Sequence, residues 1–122
     1  MVMETPVQER GNELQRAAAD FAVARDWTQF HTPKNLAMAL AGEVGELVEI
    51  FQWLSAEESA AVMSSPRAQD VRDELADVLI YLVRLADVLD VDLIGAGFEK
   101  LQKNALKYPV EEVKGSAEKR KS

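Results

Sequence analysis

Two stretches of the chain carry the same constraint. Leu36, Leu40, Val44, Leu47, Phe51 and Leu54 recur at helical spacing, and so do Val71, Leu75, Val78, Leu82, Leu85 and Leu89. On an α-helix each set forms one apolar stripe about 80° wide, which must be buried against another element. Two long helices packed on each other are therefore expected. The run "VLIYLV", residues 78–83, is apolar around the whole helix and has to be covered on every side.

The rest of the chain agrees with an all-α bundle of four to five helices. Pro6 opens a first helix to about Arg25, and "DWTQFH" reads as an aromatic connection. Thr32 and Pro33 supply an N-cap and first-turn proline for a helix to about Leu54. Ser55 and Glu58 fit a capping box for a short third helix, "AEESAAVM". Ser65 and Pro66 repeat the cap-plus-proline signal before a long helix to about Leu89, and Asp92 caps a last helix that fades near Lys107. No alternating strand pattern, repeat or linker is present, so residues 1–110 read as one domain and 111–122 as a flexible charged tail.

Acids sit at the margins of both stripes. Glu43 falls about 20° and Glu46 about 80° outside the first; Glu74 and Asp77 hold the same places beside the second. Packed helix axes lie about 8–10 Å apart, so the four carboxylates can converge. An isolated pair of acids at i and i+3 is usually solvated; two matching pairs on facing helices would repel one another strongly without a counter-charge. Between residues 43 and 90 the only basic side chains are Arg67, Arg72 and Arg84. A hard divalent ion resolves the conflict. With one histidine and no cysteine, zinc or copper lacks its usual ligands, and the Glu-x-x-His pairs of a di-iron bundle are missing. Mg²⁺, or Mn²⁺ in its place, fits an all-carboxylate set and takes phosphate as a co-ligand.

The formal net charge of -7 argues against a nucleic acid polymer as partner. The polar N-terminus and the lack of a long apolar run exclude a signal core and a membrane span, so the expected compartment is the cytoplasm.

The pairs E-x-x-E and E-x-x-D on consecutive long helices resemble those of the MazG-like all-α nucleoside triphosphate pyrophosphohydrolases. "RDWTQFHTPKNLAMALAGEVGELVEIFQW", "DELADVLIYLVRLADVLDVDL" and "NALKYP" narrow the resemblance to the dCTP pyrophosphatase branch, over residues 14 to 110. The resemblance implies Mg²⁺-dependent cleavage of a (deoxy)nucleoside triphosphate, dCTP or a modified dCTP, to the monophosphate and pyrophosphate. It assigns the metal to Glu43, Glu46, Glu74 and Asp77, with Glu43, Glu46 and Glu49 as the catalytic acids, Glu49 helping to orient the water. Trp27, His31, Trp53 and Tyr81 would hold the base, and Lys100, Asn104 and Tyr108 the rest of the substrate. A plain packing role for the aromatic residues, and a solvated face for the lysines, are the ordinary readings of those positions without the resemblance.

Two positions depart from the pattern. Broader MazG-like proteins often carry E-E-x-x-E where this chain has Gly42 before Glu43, so a possible second-metal ligand is missing. Animal dCTP enzymes carry a substrate-contacting histidine in the first helix where this chain has Ala18. dUTP or another non-canonical nucleotide is therefore the alternative substrate, and a non-catalytic helical assembly protein the alternative function. The resemblance and the all-round apolar segment both imply a homodimer or a homotetramer built as a dimer of dimers.

Overall fold

The structure, a computed structural model, describes residues 6–116. Among them are six α-helices and no strand. They divide after Asp90 into two compact units.

In the first unit, α1 (Pro6–Ala24) ends in a Schellman turn. Trp27 N donates to Ala22 O at 2.9 Å and Asp26 N to Val23 O at 3.0 Å, with Asp26 at φ 55°. A left-handed residue is usually glycine, but a short polar side chain with a local partner also tolerates it. Gln29 Nε2 donates to Asp26 Oδ2 at 3.0 Å. The turn delivers Trp27 to a 3₁₀ segment, Thr28–Phe30, ahead of α2 (Pro33–Phe51).

Thr32 caps α2 as expected, its side chain accepting from Asn35 N at 3.2 Å. The helix stops at Phe51, three residues short of the expected end, and Leu54 N bonds back to Phe51 O in a turn. Ser55 and Glu58 form the reciprocal capping box at 3.1 and 3.0 Å. Only Ala56–Ala60 (α3) is α-helical, because the Ala61 amide splits between the carbonyls of Glu57 and Glu58 and the chain tightens into a 3₁₀ turn, Val62–Ser64. Ser55→Ala should lower stability by about 1 kcal/mol, measured as a shift in the urea midpoint at constant slope.

α4 (Ala68–Val88) begins later than the Ser65–Pro66 signal implied. Ser65 Oγ accepts from Arg67 N at 3.1 Å, so Ser65 closes a local turn instead of capping the helix. α4 packs most extensively on α2 and also on α1. Ile50 meets Val71 in a core with Val62, flanked by Phe51 and Leu54, while Glu43 lies near Glu74 further along, so α2 and α4 run antiparallel.

This arrangement corrects the expected stripes. Leu75 and Leu89 are about half exposed, whereas Val83, Arg84 and Ala86 are buried. α4 has two neighbours, and the arc it buries is not the arc that a single partner would cover. Val44, on α2, is also exposed.

In the second unit, Asp92 caps α5 (Leu93–Lys107) through Gly95 N at 3.1 Å. A Cβ at Gly95 would meet the capping carboxylate, so a larger residue there would make the Asp92 side chain shift. Pro109 precedes a one-turn α6 (Val110–Val113), and the remainder of the expected tail, residues 117–122, lies outside the described residues. No helix among the described residues is long and apolar enough to cross a membrane.

Candidate active site

The two antiparallel helices bring acids from opposite ends of the sequence pattern together. One carboxylate oxygen from each of Glu43, Glu46 and Glu74 lies within 4.8 Å of the others. Glu43 and Glu74 are half-buried and Glu46 is exposed, giving the cluster one open side. Oε2 of Glu43 and Oε2 of Glu74 are buried with no hydrogen-bond partner among the described residues. A buried carboxylate oxygen without a donor is costly, and two side by side more so.

The electrostatics record that cost. Burial pushes the Glu74 carboxyl up to about 7, and the adjacent Glu46 and Glu43 add to the rise. Glu43 is also held above the usual carboxylate range, by burial first and then by Glu46 and Asp77, while the neighbouring Glu74 acts in the opposite sense. Two orphaned oxygens in a cluster of acids with no cation among its closest members have the donor chemistry that a hard divalent ion takes. The residues fit such a group: Glu43, Glu46 and Glu74 could hold it, with Asp77 close enough to act on Glu43.

Asp77 joins this cluster to a cavity of about 360 Å³ between α1 and α4. Leu14, Ala17, Ala18, Phe21 and Ala22 form one wall; Ile80, Tyr81 and Arg84 form the other, with Trp27 and His31 from the connection. Trp27 packs edge-on against Phe21 at 5.8 Å between ring centroids. The cavity is largely apolar, as a planar base requires, with a few polar groups at its margin.

Of the sequence-predicted residues, Trp27, His31 and Tyr81 line this cavity together with Asp77. Trp53 does not: it stands 86% exposed beyond the end of α2. Glu49 is exposed and outside the triad. Lys100, Asn104 and Tyr108 belong to the second unit, where Tyr108 N bonds to Asn104 O at 2.8 Å and Lys107 Nζ sits 5.5 Å from the Tyr108 ring centroid.

Arg84, with its links to Asp87 and Gln15, is what sequence reasoning missed. Arg84 is 7% exposed and lines the cavity. Its Nε donates to His31 Nδ1 at 3.2 Å and its Nη1 to Asp87 Oδ2 at 3.1 Å; Gln15 Nε2 in turn donates to Asp87 Oδ1 at 2.9 Å. Burial, then the Arg84 charge, lowers the His31 pKa. An arginine on an otherwise apolar arc is the only sequence signal that could have indicated this network.

The sequence profile of the MazG-like family matches residues 39–121, more than half of the chain. The chain belongs to the MazG-like family. The match takes in both acid pairs and begins after the α1, Trp27 and His31 side of the cavity. Among relatives of this MazG-like chain is dCTP pyrophosphatase 1 of Bos taurus, 49% identical over 106 residues, 86% of this chain and 63% of that protein. The Homo sapiens protein of the same name is 46% identical over 108 residues, 88% of this chain and 64% of that protein. The chain thus spans somewhat under two thirds of the length of these relatives. A pyrophosphatase from Archaeoglobus fulgidus superposes with a TM-score of 0.78 at 42% identity, covering 89% of this chain and 98% of that one.

Proposed function

We propose that the protein is a Mg²⁺-dependent nucleoside triphosphate pyrophosphohydrolase whose substrate is dCTP or a modified dCTP. The observation that carries this reading is the pair of orphaned oxygens on Glu43 and Glu74 beside an aromatic cavity with Asp77 at the junction. A base in the cavity would leave its phosphates next to the acids. The names of the relatives, dCTP pyrophosphatase 1 and a pyrophosphatase, agree with it.

Glu43, Glu46 and Glu74 would hold the ion, with Asp77 as a further ligand on the cavity side. When bound, Mg²⁺ (or Mn²⁺) supplies the positive charge that brings triphosphate oxygens to an acidic protein, stabilises the leaving pyrophosphate and favours ionisation of the attacking water. Glu46, the exposed member of the triad, would accept a proton from water on the open side. Trp27 and Tyr81 provide the flat walls that orient the nucleoside and keep bulk water from it. Glu49 lies outside the triad, and its role as a water-orienting group is assigned from the family resemblance alone. Lys100, Asn104 and Tyr108 are proposed as phosphate-side contacts on the same basis.

The active form is proposed to be a homodimer or a dimer of dimers. Leu75, Leu79 and Ile80 on α4, Val44 and Val48 on α2, and Trp53 are all exposed in the single chain. This is more apolar surface than single scattered residues explain, and a second copy would cover Trp53 and bring it to a site. The cytoplasm, where nucleotides are pooled, is the proposed location.

The test is a panel of common and modified (d)NTPs with Mg²⁺, assayed separately for pyrophosphate and monophosphate. dCTP giving equimolar dCMP and pyrophosphate supports the reading; stepwise release of inorganic phosphate, or no turnover on any triphosphate, contradicts it.

A further inference from the structure

Most of the cavity wall between α1 and α4 is apolar, yet it contains a buried guanidinium. Burying an unpaired cation is expensive, and Arg84 is held by a chain of contacts that crosses between the two helices: Gln15 to Asp87, Asp87 to Arg84, Arg84 to His31. Asp87 is the counter-charge on its own helix; Asp77 is the acid that lines the cavity.

The direction of these bonds fixes what the ligand meets. Guanidinium nitrogens only donate, so His31 Nδ1 must be the acceptor of the Arg84 Nε–H. The imidazole is then neutral, with its proton on Nε2. The lowered His31 pKa agrees. On the arginine, Nε and Nη1 are engaged, while Nη2, on the same edge of the fork as Nε, donates to nothing among the described residues. The polar margin of the cavity therefore carries two N–H donors on residues joined by the 3.2 Å Nε–Nδ1 bond, Arg84 Nη2 and His31 Nε2.

We infer that Arg84, held by the Gln15–Asp87 clamp, acts with His31 as the base-reading pair of the cavity, selecting a base edge with two adjacent acceptors. Among pyrimidines this is the O2/N3 edge of cytosine. Uracil and thymine place an N3–H between their carbonyls, and one of the two donors would then face a donor. A site built to bond a given edge rejects the analogue that leaves its buried groups unpaired. This inference rests on the nucleotide reading of the cavity proposed above but not on catalysis.

The experiment is calorimetric binding of dCMP, dUMP and dGMP, without metal, to the wild type, to Arg84→Met and to the double variant Arg84→Met/Asp87→Leu. The double variant removes both charges, so that no buried charge is left unpaired, and thermal melts report whether each variant folds. Parallel kcat/KM values for dCTP and dUTP give the same comparison in turnover. The wild type should prefer dCMP over dUMP. Loss of a charge-assisted bond costs about 10- to 100-fold, so in folded variants that preference should fall at least tenfold through weaker dCMP binding. In turnover the change should fall on KM more than on kcat.

An unchanged dCMP:dUMP ratio in a folded variant overturns the inference and makes Arg84 a structural strut. Tighter wild-type binding of dGMP than of dCMP, through the guanine O6/N7 acceptors, or no binding of any monophosphate, also overturns it. A wild type that binds dCMP selectively but cleaves no triphosphate defeats the proposed hydrolase and leaves this inference standing.

Discussion

Glu74→Gln is expected to eliminate turnover while making the metal-free protein more stable at pH 8. Glutamine preserves the size of the side chain on α4 but removes one of the three converging charges. Loss of an outer-shell partner already lowers metal affinity or activity about 10- to 100-fold, so losing a direct ligand should lower pyrophosphate release from dCTP by at least about 100-fold.

The stability effect has a definite sign. Glu74 titrates at about 7 in the fold, against an ordinary 4.5. Between those values the native state holds more protons than the unfolded chain, and stability therefore falls as pH rises through that window. A neutral amide at this position carries no such liability, so the variant should melt higher than the wild type at pH 8, and the two should converge near pH 4.5. Equal melting at pH 8, or a variant that still turns over at wild-type rate, would contradict the assignment.

The second large effect is on metal binding. At pH 8 Glu74, pushed up to about 7, is mostly ionised and the cluster should bind Mg²⁺; at pH 5 protons compete with the ion for its oxygens, and the raised Glu43 acts in the same direction. Mg²⁺ at 100 times its Kd should stabilise the fold by about 2.7 kcal/mol, on the order of 10 °C in Tm for a chain of this size. The shift should shrink steeply toward pH 5. A Mg²⁺ shift of equal size at both pH values would place the ion elsewhere.

What the sequence revealed and what it hid follow from the range of the forces involved. The caps at Thr32, Ser55–Glu58 and Asp92 are bonds within three residues and stand where local chemistry put them. Ser65 is ambiguous in sequence because the same hydroxyl can close a turn or cap a helix, and Arg67 N claims it first. The acids flanking the stripes were legible because periodicity fixes their direction on each helix, and Glu43, Glu46 and Glu74 do converge.

Burial on α4 was not legible. A periodic stripe does not reveal how many neighbours cover a helix, and on α4 Val83 and Ala86 are buried while Leu75 and Leu89 are about half exposed. Arg84 was hidden for a related reason. A buried guanidinium is tolerated only with its partners; Asp87 is three residues away, but His31 lies 53 residues from Arg84, and Gln15, which holds Asp87, lies 72 residues from it.

The most direct test of the account is diffraction from crystals soaked in Mn²⁺ at pH 8, read at the manganese absorption edge. An anomalous peak bonded to carboxylate oxygens of Glu43, Glu46 and Glu74 together, on the side open toward Asp77, is the expected result. A fully ordered cluster with no peak, or manganese bound only at other carboxylates, would contradict it.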